Sequence, residues 1–397
     1  MADGPVTADN ALAVARDVLK RAPLIDGHND LPWVIRVDRA ARGDVVAYDL
    51  TRVHERADTD IPRLRDGLVG AQFWAAFQPT NTPHPARTTL EQIDVIRRIE
   101  EAHPDVFLPA RRAADYARAK AAGKIASFIA VEGGVGLENS LSPLRIWHAA
   151  GMRLMTLCHN ETLDWVDSAT DAPRNNGLNA FGRAVIGELN RLGVVIDLAH
   201  TSHDAMRRVL DVTEAPVALS HSNAFSLCDH PRNTPDDVLK RLKTNGGIVM
   251  ATFVPGFISQ SLRDWLRRSR DGYGKAPVTA DPKAQVADLE TKDGSAPKAS
   301  LEQVADHIVH LVETAGLDHV GVGSDYFGGA SPVGLEDVSR FPYLFAELVR
   351  RGFSERDLEK MSSKNMLRVL RRVETVGATL RKTRPPAIGR FEDYREA

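Results

Sequence analysis

Residues 181–202 read FGRAVIGELNRLGVVIDLAHTS. In the first half, Phe181, Val185, Leu189 and Leu192 recur at helical spacing and share one face. The second half, Val194 to Leu198, is a nearly continuous apolar run, which suits a strand buried on both faces, and it ends in Ala199-His200-Thr201-Ser202. A helix feeding a buried strand whose end is polar is the building unit of a parallel α/β protein.

The same unit recurs outward in both directions. Short β-rich runs fall at 24–27, 69–77, 125–131, 153–158, 194–198, 217–220, 247–252 and 320–323, and ASFIAV and GIVMAT are as apolar as VVIDL. Between them lie helical patterns, as in Leu301, Val304, Ile308 and Leu311, where Ser300 and Gln303 are spaced as a capping box. Eight strand-helix units joined by right-handed crossovers predict an α/β protein of the closed, TIM-like (β/α)8 type, with an insertion between strands 7 and 8 and additional terminal helices. The whole chain, 1–397, is read as a single domain. Residues 264–299, charged and rich in Gly, Pro and Ala, are read as the insertion, a lid or dimer arm. The stretch 376–397 lacks a clear period, contains Pro385 and Pro386, and is read as a tail packed outside the barrel. The N-terminal stretch is read as a short amphipathic helix.

Composition narrows the function. With 43% hydrophobic and 26% charged residues the chain can bury a large core, and a net charge of -2 supplies no field for phosphate backbones, so nucleic acid is not an expected partner. Two cysteines, Cys158 and Cys228, do not make a disulfide framework. No run reaches the roughly 18 apolar residues of a membrane span, and the N-terminus lacks a signal-peptide core. The expectation is a cytoplasmic protein with no membrane partner.

Polar residues cluster where the strands end, the face on which barrel enzymes build their sites. The first run ends in Asp26-Gly27-His28-Asn29-Asp30, the third in Val131-Glu132-Gly133-Gly134, the fourth in Cys158-His159-Asn160, the fifth in Ala199-His200-Thr201-Ser202, the sixth in Ser220-His221-Ser222-Asn223 and the eighth in Ser324-Asp325-Tyr326. His28 and Asp30, two apart on an extended segment, point the same way and can share one ion. His200 and His221 can serve a second, and Glu132, with two oxygens, can bridge both. Nitrogen and oxygen donors suit zinc, with manganese or cobalt as alternatives. A lone His or Asp at a strand end is ordinarily a cap; metal-type residues at four strand ends together are not explained by capping.

The segments DGHNDLPW (26–33), GLVGAQFWAAF (67–77), VEGG (131–134), the block 181–202, SHSNAFSLCDHPRNTPDD (220–237) and DHVGVGSDYFGG (318–329), in this order over residues 20–372, resemble the renal (membrane) dipeptidase family of metallopeptidases, peptidase family M19. The resemblance implies a zinc-dependent dipeptidase with two zinc ions per chain: His28 and Asp30 on one, His200 and His221 on the other, Glu132 between them, and a hydroxide bridging the ions as nucleophile. It implies that His159 contacts substrate and stabilises the tetrahedral intermediate, that Arg232 receives the substrate carboxylate, and that Asp325 lies near the amino group and handles the proton bound for the leaving nitrogen. It also implies a homodimer, and tolerance of L-Xaa-D-Xaa beside L-Xaa-L-Xaa dipeptides. The chain departs from the family pattern at Cys158, often Thr, and at Phe327, where a second acidic residue often lies. Cys158, Cys228, Trp74 and Trp165 are read as packing residues near the site. Two rivals are another hydrolysis on the same centre, of a lactone, β-lactam or N-acyl amino acid, and a non-enzymatic binding protein.

Overall fold

The computed structural model of the chain describes residues 8–55, 57–79, 81–271 and 294–394. Eight parallel strands close a barrel in chain order: β1 (Leu24–Asn29), β2 (Val69–Phe77), β4 (Ile125–Glu132), β5 (Met152–Thr156), β6 (Val195–Asp197), β7 (Val217–Leu219), β8 (Ile248–Ala251) and β9 (Val320–Val322). The ring is completed by β9 pairing back onto β1 and by β2 pairing with β4, from Ala71↔Ala126 to Phe77↔Glu132. The remaining strand, β3 (Phe107–Pro109), is an addition that sequence did not suggest. It pairs only with the first three residues of β4, Phe107↔Ile125 to Pro109↔Ser127, on the side that β5 takes over further along.

The pleat sorts each strand's residues into two cores. Ala71, Phe73, Phe128, Ala130, Leu154, Val195, Ala218, Ile248 and Met250 fill the barrel interior, where Phe73 and Phe128 stack at 4.8 Å. Their neighbours Trp74, Ile129, Val131, Met155, Ile196 and Val249 face the surrounding helices. Trp74 and Trp165 are buried in this outer core, against Phe107 and Phe181.

The end of the barrel where the strands begin is plugged by the helix Asn365–Thr383. Its Met366, Leu367, Val369, Leu370 and Val373 join the interior core. Its first residue, Asn365, donates from Nδ2 to the carbonyls of Leu317 and Val320 at 2.8 Å each. The helix continues past Val376, where the sequence pattern gives out, and the chain then returns along the outside to set Phe391 and Tyr394 against Phe181. At the other terminus the helix Ala8–Arg21 buries Ala11, Ala15, Val18 and Leu19. With this plug in place, the opposite rim, where the strands end, is left for chemistry.

The helix Gln260–Asp271 runs into the stretch expected as an insertion, 264–299, and its Leu262 and Trp265 pack with Leu266 and Ala296. Residues 272–293, the body of the expected lid or dimer arm, lie outside the described residues. No described helix is long and apolar enough to cross a membrane.

Candidate metal centre and active site

Glu132 ends β4 and points its two oxygens at different partners. Oε2 lies 3.3 Å from His28 Nε2, and Oε1 lies 3.0 Å from His200 Nε2 and 3.7 Å from His221 Nε2. On the His28 side, Asp30 Oδ1 and Asp325 Oδ1 stand 3.6 and 4.0 Å from the same Nε2. All five expected metal ligands are buried, with His28, His200 and His221 around the Glu132 carboxylate and Asp30 beside His28. Three overlapping groups have ligand atoms within 4.8 Å of one another: His28, Glu132 and His221; Glu132, His159 and His200; and His28, Asp30 and Asp325. His159 and Asp325, expected to serve substrate, therefore stand among the ligand atoms themselves.

His28 Nε2, Asp30 Oδ1 and His221 Nε2 are buried without a hydrogen-bond partner. Buried polar atoms left unpaired are costly, and clustered imidazole and carboxylate lone pairs of this kind are what divalent cations satisfy. The donors are imidazole nitrogens and carboxylate oxygens, a set that suits zinc. Cys158 does not join them: its Sγ points to the carbonyls of Asp167 and His200, at 3.9 and 3.8 Å, and burial raises its pKa and keeps it a thiol.

Electrostatics divides the histidines. Burial lowers the pKa of His159, to about 3, and pushes His200 and His221 well below the ordinary value, with the Arg232 charge adding to the effect. Neutral imidazoles are the form that binds metal. At His28 burial acts the same way, but the carboxylates of Glu132 and Asp30 outweigh it and raise the pKa. Asp325 is pushed up to about 8, chiefly by burial, against the pull of His28. Arg232 is buried as well; its three guanidinium nitrogens have no partner, and the group lies 5.4 Å over the Phe257 ring.

The backbone is bent to deliver two of these side chains. His200 and Asp325 have φ of 68° and 62°, a left-handed conformation that costs a non-glycine residue energy and persists only where its surroundings hold it. The His200 carbonyl is held by the Ala169 N–H at 2.8 Å, and Asp325 donates its N–H to His28 O at 3.2 Å and accepts from Gly328 at 3.0 Å. A Cβ at Gly328 would stand 2.2 Å from Asp325 Oδ1, so the chain can fold back over that carboxylate only with glycine there.

Sequence reasoning passed over the buried carboxylates beneath the ligands. Asp26 accepts from Ser324 N–H and Oγ, both at 2.7 Å, and from Gln72 Nε2 at 2.9 Å, which ties together β1, β2 and the end of β9. Asp197 does the same for β5, β6 and β7, accepting from Thr156 Oγ1 at 2.6 Å and from Ser220 N–H and Oγ at 2.8 and 2.6 Å. The spacing Asp26-x-His28-x-Asp30 would have placed Asp26 on the ligand side of its strand; nothing comparable marks Asp197.

Residues 12–384 match the family described as membrane dipeptidase, peptidase family M19. Dipeptidase 3 of Rattus norvegicus is 39% identical over 381 residues, covering 94% of this chain and 68% of that protein. The probable dipeptidase PvdM from Pseudomonas aeruginosa shares the fold with a TM-score of 0.80 at 25% identity, over 93% of this chain and 99% of that one. A metallo peptidase from Rhodobacter sphaeroides, liganded with a phosphinate mimic of dipeptide L-Ala-D-Ala, has a TM-score of 0.72 at 22% identity, over 88% and 99%. With the match running along nearly the whole chain and the buried donor cluster at the rim where barrel enzymes work, this chain belongs to the membrane dipeptidase family, peptidase family M19, as a metal-dependent hydrolase.

Proposed function

We propose that the enzyme hydrolyses dipeptides, L-Xaa-L-Xaa and L-Xaa-D-Xaa, at a centre of two zinc ions. The observation that carries this reading is the division of Glu132, one oxygen toward His28 and the other toward His200 and His221. His28, Asp30 and Glu132 would hold one ion, and His200, His221 and Glu132 the other. Such ions make water nucleophilic near neutral pH and polarise a carbonyl.

The chain's own residues do the rest. Arg232, buried with all its donors free, is suited to receive the substrate's C-terminal carboxylate on a planar fork. His159, kept neutral, offers an N–H to the carbonyl oxygen as charge develops there. Asp325, whose carboxyl is raised to about 8, faces the substrate's amino group and carries the proton that must reach the nitrogen when the C–N bond breaks. Charge recognition at both ends limits substrate length, because a longer peptide or a blocked terminus leaves a buried charge unpaired. The family resemblance supports a homodimer, and the two cysteines, Cys158 and Cys228, which make no disulfide framework, support a reducing, cytoplasmic compartment.

The test compares kcat/KM for free, N-acetylated and C-amidated dipeptides on zinc-loaded protein. Free dipeptides are expected to be cleaved and both blocked forms refused. Faster turnover of the acetylated form, or of a lactone, would remove the roles given to Asp325 and Arg232.

A further inference from the structure

Three histidines of the centre differ in how the ring nitrogen remote from Glu132 is treated. Nδ1 of His28 and Nδ1 of His200 are buried without a partner, whereas Nδ1 of His221 lies 2.7 Å from Ser220 Oγ. Ser220 Oγ in turn lies 2.6 Å from Asp197 Oδ2, and all three residues are fully buried.

The direction of this chain follows from the donors around Asp197. The N–H groups of Ala199 and Ser220 converge on Oδ1 at 3.1 and 2.8 Å, and the hydroxyls of Thr156 and Ser220 converge on Oδ2 at 2.6 Å each. A carboxylate so surrounded acts only as acceptor, so the Ser220 proton is given to Asp197. What Ser220 Oγ has left for His221 is a lone pair. His221 must then carry its proton on Nδ1, which leaves the lone pair of Nε2 directed toward Glu132 Oε1, 3.7 Å away.

We propose that Asp197 is a positioning residue for His221, fixing through Ser220 both the tautomer and the ring orientation in which Nε2 is offered to an ion beside Glu132. The proposal rests on the metal-centre reading above. Histidine ligands ordinarily fix their tautomer by donating the second N–H to a carboxylate, carbonyl or water; here a serine hydroxyl is interposed between imidazole and carboxylate. The arrangement reaches further than one ring, because Asp197 binds the ends of the three strands that lead into His159, His200 and His221.

The test titrates zinc into metal-free full-length protein against a chromophoric chelator of known affinity, for wild type, His221→Ala, Ser220→Ala and Asp197→Asn, with the thermal midpoint of each metal-free protein measured alongside. Wild type is expected to bind two ions tightly and His221→Ala one. Ser220→Ala should weaken one ion by roughly 10–100-fold and leave the other, and the metal-free midpoint, as in wild type. Asp197→Asn should weaken the same ion; if it does not fold, Ser220→Ala, which removes a single oxygen, decides alone. Wild-type affinities for both ions in Ser220→Ala overturn the proposal while His221→Ala still vindicates the metal centre. Equal weakening of both ions with a lowered metal-free midpoint also overturns it, by showing a purely structural role. Unchanged zinc binding in His221→Ala overturns the metal-centre reading itself, and the proposal with it.

Discussion

Oε2 of Glu132 lies 3.3 Å from Nε2 of His28, across the centre from the oxygen that faces His200 and His221. One side chain therefore belongs to both halves of the site, and its removal cannot be confined to one of them.

Glu132→Ala is expected to release both ions, where His221→Ala releases one. The loss of activity should exceed the roughly 10–100-fold typical of residues that only support a ligand. Metal content of the purified variants, measured by atomic emission, checks this; a single ion retained by Glu132→Ala would show that the carboxylate is not shared.

Arg232 places a buried guanidinium where no described side chain hydrogen-bonds to it. Burial lowers its pKa, opposed by the charges of Asp325 and Glu132. Arg232→Met should leave the metal-free protein about as stable in urea, since a buried guanidinium with no hydrogen bond to lose is removed. It should reduce kcat/KM for dipeptides by the equivalent of roughly 2–5 kcal/mol, and Arg232→Lys should not restore it, lacking the planar fork.

The helix Leu301–Ala315 supplies a pH-dependent brace through His307, which is not among the candidate metal ligands. His307 accepts the Ala224 N–H at Nδ1, 3.2 Å, and its Nε2 meets Ile258 O at 3.0 Å, an arrangement that needs the neutral ring. Burial lowers its pKa from 6.5 to about 4. Between those values the unfolded chain binds the proton and the folded one does not, so this contribution is complete above pH 6.5 and is lost as pH falls toward 4. The loss has a ceiling of about 3 kcal/mol. Urea unfolding of metal-free protein at pH 7 and pH 5 should show a smaller difference in His307→Gln than in wild type.

Packing within the barrel gives a paired test. A Cβ at Gly323 would lie 1.7 Å from Ser220 O and 3.1 Å from Met250 Cβ, whereas one at Gly187, on the helix Ala180–Leu192, meets nothing within 4 Å. Gly323→Ala should cost at least about 1–3 kcal/mol and disturb zinc binding through Ser220. Gly187→Ala should stabilise by roughly 0.5–1 kcal/mol. Urea midpoints of the two variants distinguish them.

All eight barrel strands were legible because each is buried on both faces, so runs such as VVIDL and GIVMAT stand out whatever their partners. Phe107–Pro109 was not, being three residues with a proline and paired on one side only. The end of the helix Asn365–Thr383 was missed for a tertiary reason. Its GATLRKT segment is mostly exposed, but Gly377 packs against Gly193 and Arg381 donates to the carbonyls of Arg191 and Leu192. The metal-type residues were legible as a set, since each lies at or just beyond the end of a strand and strand ends in a barrel converge. Asp197 and Ser220 were not singled out, because their contact depends on the register between β6 and β7, which pairs Asp197 with Ala218 and which no local pattern encodes.

The central claim is that hydrolysis of dipeptides depends on a two-ion centre built around Glu132. The most direct measurement is the rate of amino-acid release from an L,L-dipeptide as zinc is added stepwise to metal-free protein. The account predicts no release without metal, a rate that climbs until two equivalents are bound, and none from His200→Ala at the same zinc concentration. Release by the metal-free protein, a plateau at one equivalent, or a fully loaded enzyme that leaves the dipeptide intact would contradict it.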